Sequence, residues 1–253
     1  MKSITVRNVT IGQGRPKICV PIVNKERVSI LTEAMTFRGQ PIDLAEWRAD
    51  WYENVNDIPK VLETAMMLRD VLGEIPLLFT CRTKKEGGAA AITPEDYMAL
   101  NTAVAESGLA DMIDVEMYAG DDVVAPLIEI AHKNNVKVVG SNHDFHKTPE
   151  KAEIVKRLRR MQELGADLPK IAVMPLTRSD VLTLLEATVE MERYADRPII
   201  TMSMDKFGVV SRISGEVFGS AVTFGAATKA SAPGQLQVQE LAQILDVIHS
   251  SQG

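Results

Sequence analysis

With 253 residues, 45% of them hydrophobic and 25% charged, and a net charge of −6, the chain has the make-up of an ordinary globular protein long enough to bury a large core. The charge is spread without a basic run, which argues against nucleic acid or an anionic membrane surface and favours a small-molecule partner. No stretch approaches the ~18 consecutive apolar residues of a membrane span, and the first residues, Met1 to Arg7, have no signal-peptide core, so a cytoplasmic location is expected.

Ser3 to Gly12 alternates and then breaks at Gly12-Gln-Gly14, which predicts a two-stranded hairpin ahead of the main body, capping the bottom of a barrel. After it, short β-rich runs recur about every 30 residues: Lys17 to Val23, Asp43 to Asp50, Leu77 to Thr83, Met112 to Tyr118, Lys137 to Phe145, Pro169 to Pro175, Pro198 to Met204 and Ser220 to Ala227. Between them lie helix-period segments such as Ile58 to Leu72 and Val181 to Arg193. Eight such units predict an α/β fold, a (β/α)8 TIM barrel, in a single domain over residues 1–253. Thr93, Thr148 and Thr177, each followed by an early acid and the first two by proline, read as N-caps just downstream of strands. The residues between strand and cap are then the βα loops that carry active sites at the C-terminal end of such a barrel.

Cys19 and Cys81 fall in separate strand-like runs without metal-ligand spacing, so neither a metal site nor a disulfide framework is expected. Glu46 and Arg48 are two apart on one predicted strand, as are Asp114 and Glu116 on another, and each pair faces one side of the sheet. Arg82 ends a third strand, and Glu86 follows in Lys84-Lys-Glu-Gly-Gly88, whose glycines allow close approach. Such charges are either a structural network closing the barrel end or part of an active site.

The run Asp167 to Pro175 sets Lys170 among apolar, β-branched neighbours, and Val138 to His146 ends in a polar burst containing His143. A buried ammonium is costly unless paired or neutral, and a neutral lysine is a nucleophile, so the two residues together suggest imine chemistry with an acid/base partner. The alternative is a lysine at the wet end of its strand and a loop histidine. Farther on, Ser211-Arg212 and Gln235 suggest a carboxylate clamp with hydrogen bonds to hydroxyls, whereas Gly208, Gly215 and Gly219 raise a phosphate site.

Glu46-Trp-Arg48, Arg82 with Glu86-Gly-Gly88, Ser141-Asn-His-Asp-Phe145, Pro169 to Pro175, Gly208 to Arg212 and Ser231-Ala-Pro-Gly-Gln235 together resemble type I 3-dehydroquinate dehydratase over the whole chain. The resemblance implies a lyase that needs no cofactor or metal, dehydrates 3-dehydroquinate in the shikimate pathway and works as a homodimer. By it, Lys170 forms the imine, His143 is the general acid/base, Glu86 pairs with the histidine and Arg212 holds the substrate carboxylate. Glu46, Trp47, Arg48, Arg82, Ser231 and Gln235 would contact the rest. Pro21 and Leu176 depart from the family pattern, which has serine and glutamine there. A lysine-imine aldolase on the same barrel, or an inactive barrel used as a binding module, are the rival readings.

Overall fold

The computed structural model describes residues 2–228, 232 and 234–252. Among them run ten strands: β1 (Ile4–Val6), β2 (Val9–Ile11), β3 (Lys17–Ile22), β4 (Leu44–Arg48), β5 (Leu77–Thr80), β6 (Met112–Glu116), β7 (Lys137–Asp144), β8 (Leu168–Val173), β9 (Ile200–Ser203) and β10 (Val222–Phe224). β1 and β2 form the expected antiparallel hairpin, turning at Arg7 and Asn8 with Arg7 at φ +51°. The other eight are parallel in the order β10-β3-β4-β5-β6-β7-β8-β9, with helices between successive strands. An Ile199–Ser220 bridge and the Ala221 N–H on the Ile199 carbonyl at 2.8 Å join β9 to β10, so the sheet is a nearly closed (β/α)8 barrel.

The period-2 alternation of the strands divides the apolar residues into two cores. Cys19, Leu44, Leu78, Met112, Val139 and Leu168 fill the barrel interior, and Val6 and Ile11 of the hairpin join them, which places the hairpin across the N-terminal end of the barrel. There Arg7 Nε also donates to Asp111 Oδ1 at 2.6 Å, just ahead of β6. The outward residues, among them Ile18, Val20, Trp47, Phe79, Ile113 and Ile171, pack against the helices. Both cysteines are buried and unbridged.

Two of the three predicted threonine caps form. Thr93 accepts from Asp96 N at 3.1 Å, and Thr177 makes a reciprocal capping box with Asp180. Thr148 does not cap: the next helix, Lys151–Glu163, begins three residues later, and the Thr148 hydroxyl instead donates to the Met174 carbonyl at 3.0 Å, tying the β7 loop to the end of β8. The ladders also stop earlier than the apolar runs suggest. β4 gives way at Arg48 to a 3-10 turn, Ala49–Trp51, and past β5 the Arg82 N–H bonds to the Asp50 side chain at 3.3 Å, a side-chain partner in place of a strand. Among the described residues no helix is long and apolar enough to cross a membrane.

Candidate active site

Because inward residues alternate, the C-terminal turns of the strands deliver polar side chains to one pocket at the top of the barrel. Glu46 and Arg48 come from β4, Arg82 from beyond β5, His143 from β7, Lys170 and Ala172 from β8, Met202 and Met204 from β9 and just past it, and Phe224 from β10. Arg212, Gln235 and Glu86 complete the wall. The space between these side chains, counted out to its open mouth, is about 610 Å³. A larger cavity, about 1320 Å³, lies on the other side of Glu86 and His143, but it has neither Lys170 nor Arg212 on its walls.

Lys170 is buried, with Nζ 3.5 Å from Asp114 Oδ2, 3.9 Å from Glu46 Oε1 and 4.6 Å from the centre of the Phe224 ring. Its nearest ionic partners are therefore two carboxylates, not cations. Asp114 is anchored in turn by Arg82 Nη2 at 2.7 Å and by the Ser141 hydroxyl at 2.5 Å, and the charge of Arg82 holds its carboxyl below the usual range despite full burial. Arg82 Nη1 also donates to Glu116 Oε1 at 3.0 Å and to Ser141 Oγ at 2.9 Å. Much of this guanidinium is thus spent on the floor of the pocket, where Arg82, Asp114 and Glu116 form a structural network, while Glu46, Arg48 and Glu86 line the pocket wall. Arg48 grips Asp50 through both Nε and Nη2, each at 2.8 Å, and Asp50 further accepts the Ala89 N–H at 3.0 Å, which ties the loop after β5 to β4.

That loop delivers Glu86. Gly88 lies so close to the chain that a Cβ there would sit 1.8 Å from the Arg82 carbonyl oxygen, and Gly87, at φ +81°, would meet the Phe145 ring at 2.4 Å. Only glycines permit the turn that sets Glu86 over β7. Glu86 Oε2 accepts the His143 backbone N–H and pairs with Nδ1, both at 2.9 Å, so the carboxylate favours the proton on Nδ1 and leaves Nε2 as the imidazole's second nitrogen. Burial pushes the Glu86 carboxyl up to about 7 against the pull of Arg82. Burial, with Arg82, Lys170 and Arg48 nearby, drives His143 well below its ordinary value. The Glu86 carboxylate beside Nδ1 pulls the other way, toward imidazolium.

Arg212 is 2% exposed, its Nη1 is 3.9 Å from Met202 Sδ, and burial lowers it to about 10, so an anion at this wall would be stabilising. Gln235 lines the same wall, and Ser231 lies outside the described residues. Ser211 turns away from the pocket, accepting the Ser203 N–H at 2.9 Å and donating to the Gly208 carbonyl at 2.7 Å. The phosphate alternative finds no cradle at Gly208 or Gly215, whose missing Cβ positions lie 2.1 Å from the Ser203 oxygen and 2.7 Å from the Ser220 oxygen. Among the described residues no group of three or more His, Cys, Asp or Glu could hold a metal ion.

Trp47 is the site residue that needs correcting. Lying between Glu46 and Arg48, it points to the opposite face, where it is fully buried against Tyr52 and Phe79 with ring centres 5.9 and 5.5 Å away. Trp47→Ala should therefore cost about 3–5 kcal/mol of stability, read by denaturant unfolding, while the folded fraction keeps its KM. Of the two departures, Leu176 is 66% exposed and away from the pocket wall, whereas Pro21 is buried in register with Glu46. Sequence reasoning did not single out Asp50, Asn142, Met202 or Phe224. For Asp50 the signal was there, two residues past Arg48 in the same alternation.

A profile of type I 3-dehydroquinase matches residues 18–252. The chain belongs to the type I 3-dehydroquinase family. It is 57% identical over 252 residues to the 3-dehydroquinate dehydratase of Salmonella agona, covering 99% of this chain and all of that one. The type I 3-dehydroquinate dehydratase of Clostridium difficile, solved with covalently modified comenic acid, superposes with a TM-score of 0.97 at 55% identity and 99% coverage of both chains. The 3-dehydroquinate dehydratase of Geobacillus kaustophilus follows at TM-score 0.94 and 38% identity, covering 98% of this chain and 97% of its own. Family members share the barrel and the dehydratase class.

Proposed function

We propose that this enzyme dehydrates 3-dehydroquinate to 3-dehydroshikimate in the shikimate pathway by syn elimination through an imine on Lys170. The observation that carries the reading is the meeting of a buried inward lysine with a carboxylate-oriented imidazole in one pocket that also holds a desolvated arginine. β7 and β8 are paired with Ser141 opposite Lys170 and His143 opposite Ala172, so nucleophile and base come from neighbouring strands one step apart. The relative solved with covalently modified comenic acid accords with covalent chemistry in the family.

The reaction's own demands assign the roles. A β-hydroxy ketone loses its C2 proton sluggishly near neutral pH, and an iminium removes that barrier by accepting the electron pair as an enamine. Lys170 Nζ adds to the C3 carbonyl and water leaves. Neutral His143 takes the C2 proton through Nε2, the enamine pair then expels the C1 oxygen, and the imidazolium returns the proton so that water departs from the same face. Hydrolysis of the product iminium frees Lys170. Glu86 holds the ring by its other nitrogen. The substrate carboxylate lies on Arg212, with Arg48, Glu46, Gln235 and Ser231 about the hydroxyls. A homodimer in the cytoplasm is part of the same reading.

The direct test is to add 3-dehydroquinate and follow the conjugated enone absorbance with product analysis. Appearance of 3-dehydroshikimate is expected, and carbon–carbon cleavage products instead would mark an aldolase. Arg212→Ala should raise KM far more than it lowers kcat, because a charge-assisted clamp on the carboxylate holds ground and transition states alike. Steady-state kinetics checks it: an unchanged KM with a large loss of kcat would move Arg212 from the clamp into the chemistry.

A further inference from the structure

The Glu86–His143 pair is held from behind by residues that face away from the pocket. Asn142 leaves β7 on the side opposite His143 and reaches toward the helix Lys151–Glu163. Its Nδ2 donates to Glu86 Oε1 at 3.1 Å, and its Oδ1 accepts from Arg157 Nη1 at 3.0 Å. Arg157 is fixed in turn: its Nε donates to Glu153 Oε1 at 2.8 Å one turn earlier, and its guanidinium lies 5.7 Å from the centre of the Tyr118 ring. A guanidinium only donates and a carboxylate only accepts, while an amide carries one group of each kind. The two ends therefore dictate the middle. Reversed, the amide would set its oxygen against the Glu86 carboxylate and its NH2 against the guanidinium, losing both bonds.

We propose that Arg157, acting through the amide of Asn142, is a positioning residue that holds the Glu86 carboxylate against Nδ1 and so keeps the His143 imidazole in its working tautomer. This rests on the reading of His143 as the acid/base group. Facing Glu86 are Arg82, 3.8 Å away after β5, Asp114 and Glu116 on β6, His143 on β7, and Lys84 and Lys85 on its own turn. Glu116 and Asp114 push its carboxyl up along with burial, and Arg82 and the Asn142 bond push it down, the balance standing at about 7. Losing the amide bond moves that balance upward. Once protonated, Glu86 donates its own proton to Nδ1, the ring proton shifts to Nε2, and the nitrogen that should act as base is blocked.

Arg157→Leu, Arg157→Lys, Asn142→Leu and the double Leu variant test this in the full-length enzyme. Arg157→Leu should lower kcat at neutral pH about three- to tenfold, the worth of one hydrogen bond, with little change in KM and the acidic limb of the profile moved to higher pH. Nitrogen-15 NMR should show less of the Nδ1–H tautomer at His143, and Arg157→Lys, which keeps a donor, should restore most of both signals. The double variant should be no worse than Asn142→Leu, since both act along one path. An unmoved pH limb and unchanged tautomer, with only thermal stability lowered, would overturn the proposal, as would multiplicative effects in the double variant. Should His143→Ala turn over near the wild-type rate, the acid/base reading fails, yet the tautomer measurement still decides whether Arg157 governs the ring.

Discussion

Lys170→Ala should show no mass adduct when mixed with 3-dehydroquinate and borohydride, under conditions in which the unaltered enzyme is fully trapped. Turnover should fall by a factor on the order of 10⁴–10⁶, the range met when a nucleophile is removed from a site that otherwise stays intact. The site should stay intact because Asp114, the nearer carboxylate to Lys170, keeps Arg82 at 2.7 Å and Ser141 at 2.5 Å, and Glu46 keeps the Thr80 hydroxyl at 2.9 Å. Removing one ammonium thus leaves neither acid stranded, and the penalty of about 3–5 kcal/mol for an uncompensated buried charge should not appear in full. No other described lysine can substitute. Lys17 and Lys137 open their strands at the far end of the barrel, bonded to the Gln13 carbonyl at 3.0 Å and to Asp167 at 3.1 Å, and Lys84 and Lys85 line the other cavity. Lys229 lies outside the described residues, so the digest must place the adduct. Trapping at the wild-type extent in Lys170→Ala, or an adduct mapped to Lys229 in the unaltered enzyme, would sink the assignment.

The barrel was legible because each strand carries its own alternation and each helix its own punctuation, both local properties of the chain. The pocket-facing side of Lys170, His143 and Arg48 was legible for a related reason: a charge in a β-branched run needs a partner, and period-2 counting says which face it takes, whereas Arg82 and Arg212 lie beyond their strands, out of reach of that counting. The same counting places Trp47 on the helix side. Its membership of the motif Glu46-Trp-Arg48 therefore reflects adjacency in sequence and not in the pocket. What sequence could not supply were bonds across distant segments. Arg157 meets Asn142 from 15 residues away, and Glu86 meets His143 across 57, so no periodicity links them. Nor does it reveal the lowered basicity of His143, which comes from burial and from three cations that the fold brings near it. Thr148 shows the converse failure, a sound local cap signal overridden by the Met174 carbonyl.

His143→Ala should let the imine form and then stop. The variant keeps Lys170 and Arg212, and it keeps the backbone N–H of residue 143, which donates to Glu86 Oε2 at 2.9 Å, while Asn142 still holds Oε1 at 3.1 Å. Glu86 should therefore stay in place with a small polar void where the ring was. Carbinolamine and iminium formation need the amine and the ketone together, and water can carry their protons slowly. Removal of the C2 proton and departure of the C1 hydroxyl both need the imidazole, as base and then as acid. A single general acid/base group contributes about 10²–10⁴-fold, and one that serves two steps should leave the variant at or beyond the upper end. Covalent intermediate should accumulate as a consequence, and intact-mass spectra taken without borohydride should show the protein heavier by substrate minus one water. In the unaltered enzyme the depressed imidazole is a free base through the neutral range, so kcat should fall on the acid side as the Glu86–His143 pair gains a proton, and that limb should vanish from the residual activity of His143→Ala. Near-wild-type turnover, or slow turnover with no adduct by intact mass, would show that a different group moves these protons.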